Sequence, residues 1–148
     1  MDEKKFQEIV QFAIQKEIEA VDFYTRASQV VKYSGTKDLF IDFAKQEQGH
    51  RKLLEDLDLG KVVRAKIEKI PNLKISDYLV DTDFRPDISY ADILRIAMKR
   101  EEHSIKLYND LKPLNGDETL TKLFNFLIQE ETKHKYSLEK IYDDEVLK

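Results

Sequence analysis

Two apolar seams broken by the same polar pair constrain this chain more than any other feature of its sequence. In one seam Phe40, Phe43, Leu54 and Leu57 recur at helical spacing, and in the other Phe124, Leu127, Leu138 and Ile141 do so. Such spacing lays apolar side chains along one stripe of an α-helix, the stripe that faces the core of a helical bundle. Continuing each rhythm through its gap lands on Glu47 and His50 in the first seam, and on Glu131 and His134 in the second. A carboxylate and an imidazole are thereby placed in each core, where an uncompensated charge is costly.

The two seams belong to a repeat. Residue i matches residue i + 84 without a gap, so Ala13, Glu17 and Tyr24 fall on Ala97, Glu101 and Tyr108. In the same way Leu39, Phe40, Glu47, His50, Leu54 and Glu55 fall on Leu123, Phe124, Glu131, His134, Leu138 and Glu139. Each half reads as one helical hairpin supplying a Glu, then Glu-x-x-His. The first helix is expected from about Glu3 to Tyr33, broken by Ser34-Gly35-Thr36. The second runs from about Lys37 to Leu59 and meets Gly60 where a capping glycine belongs. The third starts near Ser89, a good N-cap, and ends by Pro113; the fourth follows Asn115-Gly116-Asp117 and continues to about Tyr142. Between the hairpins, residues 60–87 carry Val62, Val63, Ile67, Ile70, Leu73, Ile75, Leu79 and Val80. That segment reads as a crossover lying against the bundle. The fold class is all-α, a four-helix bundle of two hairpins forming one domain over residues 1–148.

The chemistry explains the residue types. Positions i and i+3 share a helix face, so Glu-x-x-His can grip one cation with two side chains. A carboxylate has two oxygens and can also bridge to a second ion. Four glutamates carry four negative charges, which two divalent cations cancel. Carboxylate and imidazole without thiolate suit iron or manganese, with zinc a common substitute. Glu17 is preferred over Glu19 because Val10, Ala13, Ala20 and Tyr24 share its stripe. Glu101 is preferred over Glu102 on the same ground, among Leu94, Ala97, Ile105 and Tyr108. Tyr24 and Tyr108 read either as core aromatics or as donors to a ligand carboxylate on a neighbouring helix. His103, with Arg100 three residues before it, reads as surface. A metalloprotease H-E-x-x-H is excluded, since Gln46 and Glu130 stand where its first histidine belongs. Gly49 inside the motif weakens the helix by about 1 kcal/mol relative to alanine and suggests close approach of another element.

Composition narrows the rest. The chain has no cysteine, which removes disulfides, thiolate ligands and cysteine nucleophiles together. Its net charge of −4, with both signs interspersed, leaves no footprint for nucleic acid. No apolar run approaches the length of a membrane span, and the opening MDEKKFQEIV lacks a signal core, so a cytoplasmic location is expected.

These residues carry a resemblance. The sequence is similar to the rubrerythrin branch of the ferritin-like superfamily in A-I-Q-K-E-I-E-A-V-D-F-Y at 13–24 and F-A-K-Q-E-Q-G-H at 43–50. The likeness continues in A-M-K-R-E-E-H-S-I-K-L-Y at 97–108 and I-Q-E-E-T-K-H at 128–134. It implies a ferritin-like bundle holding two iron ions (Fe2+/Fe3+) on Glu17, Glu47, His50, Glu101, Glu131 and His134, which act on substrate through the metals. It further implies an oxidoreductase that reduces hydrogen peroxide or dioxygen with electrons from an external donor such as a rubredoxin-type protein. The expected state is a homodimer or larger homo-oligomer. The alternatives are a ferroxidase that stores iron and a metal-stabilised bundle without turnover. Two departures matter. Full-length rubrerythrins add a rubredoxin-like domain with paired CxxC knuckles, absent from this cysteine-free chain. They also carry an additional glutamate, associated with peroxide chemistry, at the position of Ser104, which counts against efficient peroxidase activity.

Overall fold

The computed structural model describes residues 3–56, 76, 83–85, 87–115 and 118–147. Four helices make up the bundle: α1 (Glu3–Val30), α2 (Ser34–Asp56), α3 (Tyr90–Asn115) and α4 (Glu118–Glu145). Among the described residues there is no strand. The chain pairs α1 with α2 and α3 with α4, so the architecture is the all-α bundle of two hairpins expected from the repeat.

Local chemistry sets the helix ends. Ser89 caps α3: its Oγ accepts the Asp92 N–H at 3.1 Å, and its carbonyl accepts the Ile93 N–H at 3.0 Å. The break between α1 and α2 falls at residues 31–33, three residues earlier than the sequence suggests. Ser34, Gly35 and Thr36 form the first turn of α2, and the Lys37 N–H bonds to the Tyr33 carbonyl at 2.9 Å. A first turn tolerates such residues because its N–H groups have no helical partner in any case. Thr36 also has a tertiary reason to be helical. The Tyr90 hydroxyl donates to Glu145 at 2.7 Å, and the Thr36 hydroxyl donates to the Tyr90 oxygen at 2.6 Å, tying three helix ends together. At the other end of the bundle, α3 runs through Pro113 to Asn115 instead of stopping at the proline. Proline's fixed φ is helical, and in a last turn the missing N–H removes only one bond.

The core is divided into two apolar clusters. One gathers Phe23, Tyr24, Phe40, Phe43, Leu94, Met98, Leu138 and Tyr142. The other gathers Val10, Ile14, Leu54, Tyr108, Leu120, Phe124 and Leu127. Fully burying one such side chain is worth about 1.5–3 kcal/mol, so each cluster clamps the helices on its own side of the middle. The middle itself is polar. From Lys32 in the first turn, Glu17 and Glu47 are each 15 residues away, so equal helical rise brings them to one height.

The expected crossover and the Gly60 cap lie mostly outside the described residues. Within that segment Phe84 packs edge-on against Phe23, ring centroids 5.8 Å apart, and Ser76 is a second described foothold. It is buried, its N–H donates to Glu139 Oε2 at 3.1 Å, and its hydroxyl donates to Glu102 Oε2 at 2.5 Å. No described helix is long and apolar enough to cross a membrane.

Candidate metal centre

Between the two apolar clusters the helices present Glu17 from α1, Glu47 and His50 from α2, Glu101 from α3, and Glu131 and His134 from α4. All six side chains are buried. Their donor atoms fall into two overlapping groups, Glu17, Glu47, His50 and Glu131 in one, and Glu47, Glu101, Glu131 and His134 in the other. Within each group the donor atoms lie within 4.8 Å of one another. Glu47 and Glu131 belong to both.

The distances describe atoms converging on shared points. His50 Nδ1 lies 2.9 Å from Glu131 Oε1, 3.6 Å from Glu47 Oε1 and 3.7 Å from Glu17 Oε2. His134 Nδ1 lies 3.0 Å from Glu47 Oε1 and 3.5 Å from Glu101 Oε1. The shorter of these approaches lack the alignment of a hydrogen bond. Both Nδ1 atoms, both oxygens of Glu47, Glu17 Oε2, Glu101 Oε2 and Glu131 Oε1 remain buried without a hydrogen-bond partner. Seven orphaned polar atoms in one layer of a core would be prohibitive for a bundle that stood empty. A cation at each focus gives every one of them a partner, so the donor set fits a pair of metal ions.

Electrostatics without metal record the same crowding. The Glu47 carboxyl is pushed well above the usual carboxylate range by burial and then by Glu17 and Glu101. Glu131 is pushed the same way by burial and then by Glu101, Glu47 and Glu17. Burial alone would lower the His50 imidazole, but contact with Glu131 and Glu17 more than offsets it, and the pKa rises to about 10. For Glu17 burial opposes ionisation, yet His50, Glu47 and Tyr108 outweigh it and the carboxyl is lowered.

Both tyrosines act across the hairpins. Tyr24 on α1 donates to Glu101 Oε1, and Tyr108 on α3 donates to Glu17 Oε1 at 2.5 Å. Each holds one carboxylate oxygen and leaves the other facing the layer. Burial, followed by the charge of the carboxylate each contacts, raises both phenols well above their ordinary range, which keeps them protonated as donors. Each tyrosine is thus a core aromatic whose hydroxyl also donates to a buried carboxylate on the other hairpin.

Sequence reasoning missed the support behind His134. Gln46 Nε2 donates to Asp42 at 2.6 Å, which turns Gln46 Oε1 toward His134 Nε2 at 2.8 Å. With its proton committed there, the ring presents the Nδ1 lone pair to the layer. Phe43 stacks on the same imidazole, ring centroids 4.0 Å apart. The place of Gln46 four residues after Asp42 allows the bond between them within one helix, but nothing in the sequence ties Gln46 to His134. His103 is exposed and outside both donor groups, as expected. Gly49 does not serve close packing among the described residues, since a Cβ there would meet nothing within 4 Å.

Helix pairing and the buried carboxylate–imidazole layer define a class, the four-helix bundles that carry such a layer between two apolar halves. The rubrerythrin family model matches residues 8–142, and the chain belongs to the rubrerythrin family. Its fold is also similar to that of CopM in the Ag-bound form, with a TM-score of 0.65 and 12% sequence identity. That alignment covers 95% of this chain and 96% of CopM. A search of curated proteins finds no match.

Proposed function

We propose that the layer holds two iron ions and that the protein is a di-iron oxidoreductase reducing peroxide or dioxygen with electrons from an external donor. The reading rests above all on the two donor groups sharing Glu47 and Glu131. In it Glu17 and His50 would help hold one ion and Glu101 and His134 the other, while Glu47 and Glu131, which belong to both donor groups, would contribute to each. Bound ferrous ions would supply one electron each, and hydrogen peroxide with two electrons and two protons gives two waters. The chain's own residues do the rest. Glu47 and Glu131, common to both donor groups, would hold the pair together, and the four glutamates would balance two divalent charges. Tyr24 and Tyr108 hold the terminal carboxylates in place, while the apolar clusters on either side keep bulk water out. Manganese or zinc would fit the same donors.

The test is metal analysis of anaerobically loaded protein with its solution mass, followed by stopped-flow oxidation of the diferrous form. Two irons per chain, faster oxidation by peroxide than by air, and re-reduction by a rubredoxin-type donor are expected. A preference for oxygen, with ferric mineral accumulating in a large assembly, would overturn the reading in favour of storage. Two bound irons inert to both oxidants would leave a metal-stiffened bundle.

A further inference from the structure

The repeat that relates the two hairpins also shapes the space between α1 and α3. A cleft of about 170 Å³ lies there and reaches down to the buried Glu101. Besides Phe12, His103 and Leu107, its lining holds two pairs of repeat mates, Lys16 with Arg100 and Ala20 with Ser104, each separated by the same 84 positions as Glu17 and Glu101. Ala20 and Ser104 lie three residues beyond those glutamates, one turn along the same helix face. Both helices therefore carry a small side chain where a large one would plug the cleft. Lys16 and Arg100 immediately precede the two glutamates and place a cation on either side.

We infer that this cleft is the path by which a small anion reaches the centre; the inference rests on the metal reading above. Three observations carry it. First, α2 and α4 supply four of the six donors, whereas α1 and α3 supply one each. The α1–α3 side of the layer is the side on which an added ligand displaces least protein. Second, four carboxylates with two divalent ions leave the layer neutral, so the cations at the mouth set the local sign. Lys16 shares its charge with the exposed Glu19 at 3.8 Å, and Arg100 lies over the Phe23 ring, 5.0 Å from its centroid. Third, the larger groove on the opposite side, about 340 Å³ between α2 and α4, leads elsewhere. It meets His50 from outside, while the donor atom of that ring, Nδ1, faces inward.

Because the chain has no cysteine, Ser104→Cys gives a unique thiol inside the cleft. Its modification should be faster with an anionic methanethiosulfonate than with a cationic one, by about tenfold or more, the range over which charge focusing alters association. Adding Lys16→Glu and Arg100→Glu should erase or reverse that preference. This readout needs no turnover and is run with and without metal. In parallel, azide association with diferric protein, followed by its charge-transfer band, should slow in both Ala20→Phe and Ser104→Phe. Filling the opposite groove through Leu53→Trp should leave it unchanged. Reagent rates indifferent to charge, or azide rates unaltered in cleft-filled variants that still carry two irons, would overturn the path while leaving the centre intact. Failure of the unmodified protein to hold a metal pair would overturn the centre itself, and metal analysis of the same samples distinguishes the two.

Discussion

The hairpins α1–α2 and α3–α4 agree where they meet and differ where each is backed. Toward the layer they present the same residues at matching positions, and each tyrosine reaches the other hairpin's glutamate. Behind the imidazoles the match ends. His134 is stacked by Phe43 and held through Gln46 and Asp42. Repeat mates of those three are Leu127, Glu130 and Phe126. His50 accordingly has the edge of Phe126, at 6.2 Å between centroids, and lines the open groove together with Glu130. The outer carboxylates diverge as well. Glu55 is exposed and pairs with Arg51 at 3.3 Å, whereas its mate Glu139 is buried beneath Ser76. What the duplicated halves retain is the donor set; the surroundings of each donor have become individual. Two ions held in this layer would therefore sit in unlike settings.

The largest expected effect tests the shared inner face. Glu47 and Glu131 each belong to both donor groups, so Glu47→Ala and Glu131→Ala should each lower the metal content at both positions. Glu17→Ala and Glu101→Ala touch one group each and should spare one ion. Removing one partner of a buried charged set costs about 3–5 kcal/mol, so the loaded protein should also melt at a markedly lower temperature. Elemental analysis and calorimetry of the four variants provide the comparison. Full metal content in Glu47→Ala but not in Glu131→Ala would break the symmetry at its centre.

A second effect appears when metal is removed. Glu47 and Glu131 then hold protons to higher pH than in the unfolded chain. Their contribution to stability is complete below the unfolded carboxylate pKa and is lost as pH rises through the folded values. His50 acts in the same direction, complete below 6.5 and lost as pH climbs to about 10. Glu17, shifted down, opposes them, because its contribution is present above its unfolded pKa and lost as pH falls through the folded one. Metal-free protein should therefore melt lower at about pH 9 than at about pH 6, with a shallower dependence once cations compensate the carboxylates. Parallel pH curves with and without metal would show that the layer's charges do not face one another.

Much of this was legible in the sequence because periodicity and duplication report on the same surface. A helix face that must be apolar betrays each polar intruder, and the repeat vouches for it twice. Hence Glu17, Glu47, His50, Glu101, Glu131 and His134 could be named as neighbours before any coordinates. Contacts made once were not legible. The start of α2 depends on Thr36 meeting Tyr90 and Glu145, residues far away in the chain. Burial of Glu139 depends on Ser76 arriving from the crossover, while its repeat mate Glu55 stays in solvent. Gln46 lies one residue before Glu47, and nothing in a 3–4 rhythm separates it from a solvated glutamine.

That asymmetry yields the smallest and sharpest prediction. Gln46 fixes the His134 tautomer by accepting from Nε2, and Asp42 fixes Gln46 in turn. Partners of this kind typically govern ten- to hundredfold in metal affinity, about 1.4–2.7 kcal/mol. Gln46→Ala should therefore weaken the position served by His134 by that order while leaving the one served by His50 nearly untouched. Glu130→Ala removes the repeat mate, which lines the groove and lies 3.5 Å from Lys133, and should cost less than Gln46→Ala. Anaerobic calorimetric titration with manganese, resolved into two binding steps, measures both. Gln46→Glu isolates the chemistry, since a carboxylate keeps the acceptor but loses the donor that Asp42 receives, and the two negative groups then repel. It should fall between wild type and Gln46→Ala. Equal losses in Gln46→Ala and Glu130→Ala would mean that the two histidines are backed alike in solution, and that the inequivalence of the hairpins does not reach their metals.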